Sequence, residues 1–332
     1  MKNPIVVGSS GLTARLDNLE RFEKAGAGAI VLKSIFEEQI HFESNQFIHS
    51  NEPAAKAWKD SFDKIVGEQE YYYQEAYNYL TDYAREHTLN QYLELIREAK
   101  RRIHIPIIAS INCTSNKDWE YFAKKIEEAG ADALELNIYI LPSDLHKSGQ
   151  EIELLYQDII SRVKGYLRIP LAVKIGYYFS NLAKTVVDLS ASGIQGLTLF
   201  NRPYNPDLDI EKMQVIASHI FSSPEEYTNT LRWIALLSGK VHCDLAAASG
   251  IHDGETAVKQ LLAGASAVQM VSVFYKSPFE TIQDVLKFIE EWMERHGFET
   301  IDQFKGILSQ SRVENPAAFE RVQFIRLYSS IE

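Results

Sequence analysis

The chain has 332 residues, of which 45% are hydrophobic, and a formal net charge of −11. That length allows one large core, and the negative charge disfavours a nucleic-acid partner because a phosphate backbone would be repelled. No apolar run approaches the roughly 18 residues that a membrane span needs, so we expect a cytoplasmic protein. The two cysteines, Cys113 and Cys243, have no CxxC partner, so we expect neither a disulfide framework nor a cysteine-based metal site.

Short β-branched runs alternate along the chain with amphipathic segments, which is the pattern of βαβ units and a parallel sheet. The eight predicted strands are Pro4 to Ser10, Ala29 to Ser34, Pro106 to Asn112, Ala133 to Tyr139, Pro170 to Gly176, Gly196 to Asn201, Val241 to Ser249 and Ala267 to Val273. The eight predicted helices are Asp17 to Ala25, Leu89 to Arg102, Lys117 to Ala129, Ile152 to Tyr166, Leu182 to Ala191, Thr228 to Leu237, Glu255 to Leu262 and Phe279 to Arg295.

Two folds share this alternation, the doubly wound open sheet and the closed barrel. The sequence has neither a GxGxxG fingerprint after the first strand nor a GxxxxGK[ST] phosphate loop. Eight repeats without either motif favour an α/β fold of the (β/α)₈ TIM-barrel type. We assign residues 1–300 to this barrel and residues 301–332 to a polar, helical tail.

Two insertions interrupt the alternation, one after strand two and one after strand six. The first, Ile35 to Thr88, is far longer than a normal βα connection and is rich in tyrosine. It leaves strand two at the carboxyl end, so we expect a lid or a subunit contact over that face, and hence a homodimer. The second insertion, Arg202 to Tyr227, is shorter.

Polar side chains stand where the predicted strands end, at the face on which a barrel places its chemistry. Two lysines, Lys33 and Lys174, and three asparagines, Asn112, Asn137 and Asn201, end apolar strands. Such groups are costly to bury without partners, so a polar ligand in the barrel mouth accounts for them.

Small residues follow the last two strands, where barrels commonly bind phosphate. Ser249 and Gly250 follow strand seven, and Ser272 lies near the end of strand eight. With the lysines, they indicate a ligand with a phosphate tail and a polar ring, which FMN satisfies. A phosphate-binding lyase or isomerase without flavin, using Lys174 or Lys33 as a Schiff-base or general-base residue, is the alternative.

Seven segments in order resemble the class 1 dihydroorotate dehydrogenase family, between Asn3 and about Phe298. They are "NPIVVGSSG", "GAGAIVLKS", "ADALELN", "LAVKIGYY", "LFN", "ASGIHDGETAVKQLLAGASAVQ" and the closing helix. Members are FMN-dependent barrel enzymes of pyrimidine biosynthesis that oxidise dihydroorotate to orotate. The resemblance implies that FMN is bound by Ser10, Gly11, Lys33, Ser34, Asn112, Asn137, Lys174, Ser218, Ser249, Gly250 and Ser272. It implies substrate contacts from Lys33, Asn137 and Asn201, and a place for Lys174 beside the N1/O2 edge of the flavin.

The chain also departs from the family pattern. The NxMGLxN turn that covers the substrate ring has no counterpart between Phe36 and Thr88, and the hairpin that usually precedes the NP motif is missing. Ile140 stands at the ungapped position of the family's cysteine or serine general base. Ser143 is a candidate replacement, with Tyr139 and Cys113 as further options. We therefore expect a small-molecule substrate other than dihydroorotate, or a flavin-binding protein that has lost catalysis.

Overall fold

The computed structural model describes residues 1–36, 88–113, 119–203, 205–217 and 220–320. Its centre is a closed barrel of eight parallel strands, as the strand–helix alternation predicts. The strands are β1 (Ile5–Val7), β2 (Ala29–Val31), β3 (Ile107–Cys113), β4 (Ala133–Ile138), β5 (Leu171–Ile175), β6 (Gly196–Leu199), β7 (Asp244–Ala248) and β8 (Ala267–Met270). The helices are α1 (Leu16–Lys24), α2 (88–102), α3 (Trp119–Glu128), α4 (Gly149–Tyr166), α5 (Leu182–Ala191), α6 (Tyr227–Leu237), α7 (Gly254–Ala263) and α8 (Thr281–His296).

The barrel closes through β1, which pairs with both β8 and β2, and through β2, which pairs with β3. These ladders differ in length. Strand β2 shares only Val6↔Ala29 and Val7↔Ile30 with β1, whereas β3 and β4 are in register from Ile108↔Ala133 to Cys113↔Ile138. The predicted (β/α)₈ fold is therefore confirmed, with a short seam on either side of β2.

Local sequence signals explain where several helices begin and end. Ser148 precedes α4 and accepts a hydrogen bond from the backbone N–H of Glu151, whose carboxylate accepts one from the backbone N–H of Ser148 at 2.6 Å. Asp253 caps α7 in the same way by accepting from Thr256. Helix α8 ends at Gly297, whose φ of +71° suits a residue without a side chain. Reciprocal caps of this kind satisfy backbone donors that a helix start leaves free.

The two insertions leave the barrel at the carboxyl ends of its strands. Ile35 and Phe36 pair with the last part of β3, and residues 37–87 lie outside the described residues. The second insertion contains an antiparallel hairpin, Pro206–Asp209 with Gln214–Ala217, that stands on the surface. The strand-end face therefore carries both insertion points.

Residues 301–320 follow the barrel and pack against α6 and α7. The backbone N–H of Gly306 donates to Leu261 O, and that of Gln310 donates to Ala235 O, both at 3.0 Å. Phe304 is fully buried beside Trp292 of α8. Across the described residues, every helix is too short or too polar to cross a membrane.

Candidate active site

A row of polar residues crosses the barrel interior near the carboxyl ends of four neighbouring strands. Asn112 of β3 is in register with Asn137 of β4, which is in register with Lys174 of β5, and Lys174 is in register with Thr198 of β6. All four side chains are less than a tenth exposed. Sequence patterning predicts the first three as site residues, and the register explains why they share one level of the barrel.

Lys174 is held from the opposite side of the barrel by Gln269 of β8. The Lys174 ammonium donates to Gln269 Oε1 at 2.9 Å, and Gln269 Nε2 donates to Glu135 Oε2 at 2.7 Å. Thr198 also donates to Glu135 Oε2, at 3.2 Å. Sequence reasoning does not identify Gln269 or Glu135, although both lie in the quoted motifs "GASAVQ" and "ELN".

A cavity of about 150 Å³ opens between the ends of β5, β6, β7 and β8. Five of the residues predicted for the site line it together: Lys174, Asn201, Ser249, Gly250 and Ser272. The structure adds Ser9, Arg202, Ser222 and Gln269 to this wall. Two cationic side chains and no carboxylate line this cavity among the described residues, so it suits a ligand that carries negative charge.

The turn after β7 brings the backbone close to the cavity. Ser249 and Gly250 both have positive φ, +75° and +73°. A side chain at position 250 would overlap the backbone at the start of α6, where Glu226 C and Tyr227 Cα would lie 2.8 and 2.9 Å from a Cβ atom. Only glycine fits both the conformation and the space at this position.

Ser272 and Ser222 form the far side of the same cavity. The Ser272 hydroxyl accepts a hydrogen bond from the backbone N–H of Ser222 at 2.9 Å. Ser222 Oγ lies 3.1 Å from His252 Nε2, and burial together with the charge of Lys276 lowers the pKa of His252. This side of the cavity therefore presents two hydroxyl groups, and His252 lies in contact with one of them.

An amide pair lies next to Lys174. Asn201 Nδ2 donates to Asn137 Oδ1 at 2.9 Å, which joins the end of β6 to β4. Asn201 is also shared with a second cavity, of about 490 Å³, that is bordered by Tyr177 and Phe200. The two asparagines predicted to contact the substrate are therefore in direct contact with each other.

Arg202 borders both cavities and is paired with Glu226. Its guanidinium donates to the two carboxylate oxygens at 2.8 and 3.2 Å. Burial raises the pKa of Glu226, but the hydrogen bonds from Arg202 and the Ser223 backbone outweigh it, and the net shift is downward. Arg202 directly follows Asn201 in the sequence "LFNR". This position next to a predicted site residue is the signal from which Arg202 could have been identified.

Lys33 and Ser34 line a separate cavity of about 220 Å³, together with Tyr92 of α2. Ser34 Oγ lies 3.0 Å from Ser9 Oγ and 2.7 Å from Ser110 Oγ, so hydroxyl groups connect the ends of β1, β2 and β3. Among the cavities that described residues line, Lys33 and Lys174 border different ones, although both lie at the strand-end face.

Several predicted residues lie apart from these cavities or outside the described residues. Ser10 precedes a 3₁₀ helix, Gly11–Ala14, and its backbone N–H donates to Thr13 Oγ1 at 3.2 Å. Ser143 is exposed in the loop before α4 and lines none of the cavities described above. Ser218 lies outside the described residues, as does the side chain of Cys113.

The segment after β4 places no acidic or basic side chain at the family's base position. Ile140 donates its backbone N–H to the Tyr156 hydroxyl at 3.2 Å, and its side chain packs against the core. Burial and the neighbouring Tyr178 raise the pKa of Tyr139 to about 12, which makes this phenol a weak base candidate at neutral pH.

Residues 81–293 match the model of the dihydroorotate dehydrogenase family. A protein of Aeropyrum pernix with the provisional name dihydroorotate dehydrogenase A (fumarate) is 28% identical over 64% of this chain and 71% of its own. The catalytic subunit of dihydroorotate dehydrogenase B (NAD(+)) from Thermoplasma volcanium is 24% identical over 92% of this chain and 94% of its own. The corresponding subunit from Alkaliphilus metalliredigens is 27% identical over 63% and 70%. Because the family model spans more than half of the sequence, the chain belongs to the dihydroorotate dehydrogenase family.

Proposed function

We propose that the protein is an FMN-dependent oxidoreductase that acts on a CH–CH bond of a small molecule. The observation that carries the proposal is the position of Lys174. This buried lysine borders a cavity whose other walls include the small-residue turn at Ser249 and Gly250. FMN has a polar ring and a phosphate, and this cavity offers a cation for the ring and a small-residue turn for the phosphate.

The residues present suit FMN in their chemistry. The backbone of the turn after β7 and the Ser272 hydroxyl offer contacts to a phosphate, because barrels commonly bind phosphate in the loops after strands seven and eight. Lys174 and the amides of Asn112 and Asn137 offer donors and acceptors to a polar ring. We propose the same binding role for the remaining residues that the resemblance implies, which are Ser10, Gly11, Lys33, Ser34 and Ser218.

Bound FMN would supply the chemistry of accepting a hydride from the substrate and passing electrons to a second substrate. The protein's own contribution is electrostatic and positional. Lys174 would stabilise negative charge on the bound flavin, since a cation held in place by hydrogen bonds needs little reorganisation. Asn137 and Asn201, which are hydrogen-bonded to each other, orient the substrate, and Lys33 contributes a cation at the same face.

We further propose that dihydroorotate is a poor substrate. Its oxidation requires removal of a proton from one carbon as a hydride leaves its neighbour. Ile140 has no basic group, Ser143 is exposed away from the described cavities, and the pKa of Tyr139 is raised. A positioned base typically contributes about 10²–10⁴-fold to rate, so its loss should dominate the kinetics.

The purified protein tests the flavin proposal directly. We expect one tightly bound FMN per chain, seen as the visible absorbance of oxidised flavin and identified by mass spectrometry of the released compound. Lys174→Met should lower the occupancy, because it removes the cation from the cavity wall. Lys184→Met is the matched control, since Lys184 is an exposed helix residue paired with Asp188.

Three outcomes separate the candidate functions. Wild-type protein that stays colourless after incubation with FMN would refute the proposal and favour a flavin-free lyase or isomerase. A yellow protein whose flavin no substrate reduces would indicate a binding protein that has lost catalysis. A yellow protein that becomes colourless with a CH–CH substrate would support the oxidoreductase.

A further inference from the structure

Four polar side chains from four different strands meet inside the barrel, and two of them line the cavity. They are Glu135 of β4, Lys174 of β5, Thr198 of β6 and Gln269 of β8, with exposed fractions of 1, 8, 2 and 5%. Polar and charged groups at this depth are costly unless hydrogen bonds connect them. Four such bonds do so here, and two of them form a path from Glu135 through Gln269 to the Lys174 ammonium.

The chemistry of the two ends determines which way the Gln269 amide faces. An ammonium can only donate and a carboxylate can only accept. The amide oxygen of Gln269 must therefore face Lys174 and the amide nitrogen must face Glu135. The structure has this orientation, with 2.9 Å between the Lys174 ammonium and Gln269 Oε1 and 2.7 Å between Gln269 Nε2 and Glu135 Oε2. With a neutral amide at position 135, only the lysine would select the orientation of Gln269, because an amide at 135 can both donate and accept.

Glu135 has hydrogen-bonding capacity that its described neighbours do not use. Thr198 and Gln269 both donate to Oε2, whereas Oε1 is buried and has no hydrogen-bond partner within the described part of the chain. A buried carboxylate with a free oxygen is a costly group to keep in a barrel core, where apolar residues usually stack. The cationic end of the hydrogen-bonded path, Lys174, balances its charge.

We infer that Glu135 and Gln269 are positioning residues that hold the Lys174 ammonium at the cavity wall, ready for an anionic ligand. This role rests on the proposed function, because the anionic ligand that Lys174 would meet is the proposed FMN. Glu135 needs no contact with that ligand. The carboxylate acts through the fixed amide, and the amide acts through the lysine.

Glu135→Gln is the main test variant, since it removes the charge and the orientation constraint at position 135 with almost no change in volume. We expect FMN to bind on the order of tenfold more weakly, the scale of one lost hydrogen bond to a charged group. Thr198→Val is the matched control. It removes the other donor to Glu135 Oε2 and the longer contact from Gln269 Nε2 to Thr198 Oγ1, at 3.3 Å, but leaves both hydrogen bonds of the path from Glu135 to Lys174 in place, so FMN affinity should stay within about twofold.

A second readout does not depend on flavin. In protein with isotope-labelled lysine and no added FMN, the ammonium protons of Lys174 should give a slowly exchanging NMR signal, assigned by its loss in Lys174→Met. This signal should disappear in Glu135→Gln and persist in Thr198→Val. If wild-type protein binds no FMN, the proposed function fails, while the signal still tests the positioning role.

A double-mutant cycle shows whether Glu135 acts through Lys174. In the Lys174→Met background, Glu135→Gln should weaken FMN binding no further, because the group that it positions is gone. An equal loss in both backgrounds would overturn the inference, as would a Glu135→Gln variant with the wild-type signal and affinity. The same loss in Thr198→Val would overturn it too, because interior polarity rather than the oriented path would then be responsible.

Gln269→Met carries the test if Glu135→Gln does not fold. Methionine has nearly the volume of glutamine and cannot accept a hydrogen bond of comparable strength from the ammonium. The Lys174 signal should be lost in this variant as well. A persistent signal would overturn the inference.

Discussion

Gly250 allows a direct measurement of how closely the turn after β7 packs on the start of α6. In Gly250→Ala the new Cβ would overlap the backbone of Tyr227 and lie 2.8 Å from Glu226 C, at a φ of +73°. The left-handed conformation costs a non-glycine residue about 1–2 kcal/mol, and insertion of a methyl group into a packed site costs about 1–3 kcal/mol. We therefore expect the variant to lose about 2–5 kcal/mol of stability.

Gly297→Ala separates the two contributions. Gly297 has nearly the same φ, +71°, but no atom lies within 4 Å of the place that a Cβ atom would take, so only the conformational cost of about 1–2 kcal/mol applies. Urea unfolding measures the stability of both variants. If the two variants have equal m-values, the difference between their midpoint urea concentrations gives the difference in free energy of unfolding. Equal midpoints would refute the packing argument. FMN retention should fall in Gly250→Ala and stay unchanged in Gly297→Ala, because only the first turn borders the cavity.

Three further predictions concern the substrate, an ion pair and self-association. Anaerobic mixing with saturating dihydroorotate should reduce the flavin slowly or not at all; rapid reduction would contradict the missing base, and its loss in Ser143→Ala or Tyr139→Phe would identify a replacement. The folded pKa of Glu226 lies below its ordinary value of 4.5, so its pairing with Arg202 stabilises the protein fully above that value and less as pH falls through the folded pKa. The stability gap between wild type and Glu226→Gln should therefore be present at neutral pH and close in acid, and a gap independent of pH would disprove this. Met213→Lys, at the 91% exposed tip of the surface hairpin, should weaken a homodimer in light scattering, and a monomeric wild type would exclude the dimer.

The barrel is predictable from the sequence because each strand is a short apolar run, each helix has an apolar face, and several helices begin at a local cap. Strand ends are less predictable. The seventh strand is predicted to span Val241 to Ser249, whereas β7 covers Asp244–Ala248. Ser249 has a positive φ and so has already turned out of the ladder. Residues at the carboxyl end of a strand turn away from the sheet to form the site. The pattern of apolar residues does not show at which residue the strand ends.

The site is only partly accessible to sequence reasoning, because its contacts join distant segments. Lys174, Asn201, Ser249, Gly250 and Ser272 are predicted from their places at strand ends and do line one cavity. Gln269 is missed because its partners Lys174 and Glu135 are 95 and 134 positions away. An isolated glutamine in an apolar strand has no local signal of such partners. For Lys33 the sequence indicates the position at a strand end. That position alone does not identify the cavity that the side chain borders, which is a different one from the cavity of Lys174.

The short seam at β2 has a consequence for how the barrel opens. This strand is held by two register pairs to β1 and two to β3, Ile30↔Ile107 and Val31↔Ile108, while β3 to β6 form longer ladders. Local opening follows the segments with the fewest cooperative hydrogen bonds. Amide protons of Ile30 and Leu32 should therefore exchange with deuterium ahead of those in β4 and β5. Local unfolding at this point would separate β1 from β3 and free the segment that leads from β2 to the strand-end face, without loss of the remaining seven-stranded sheet.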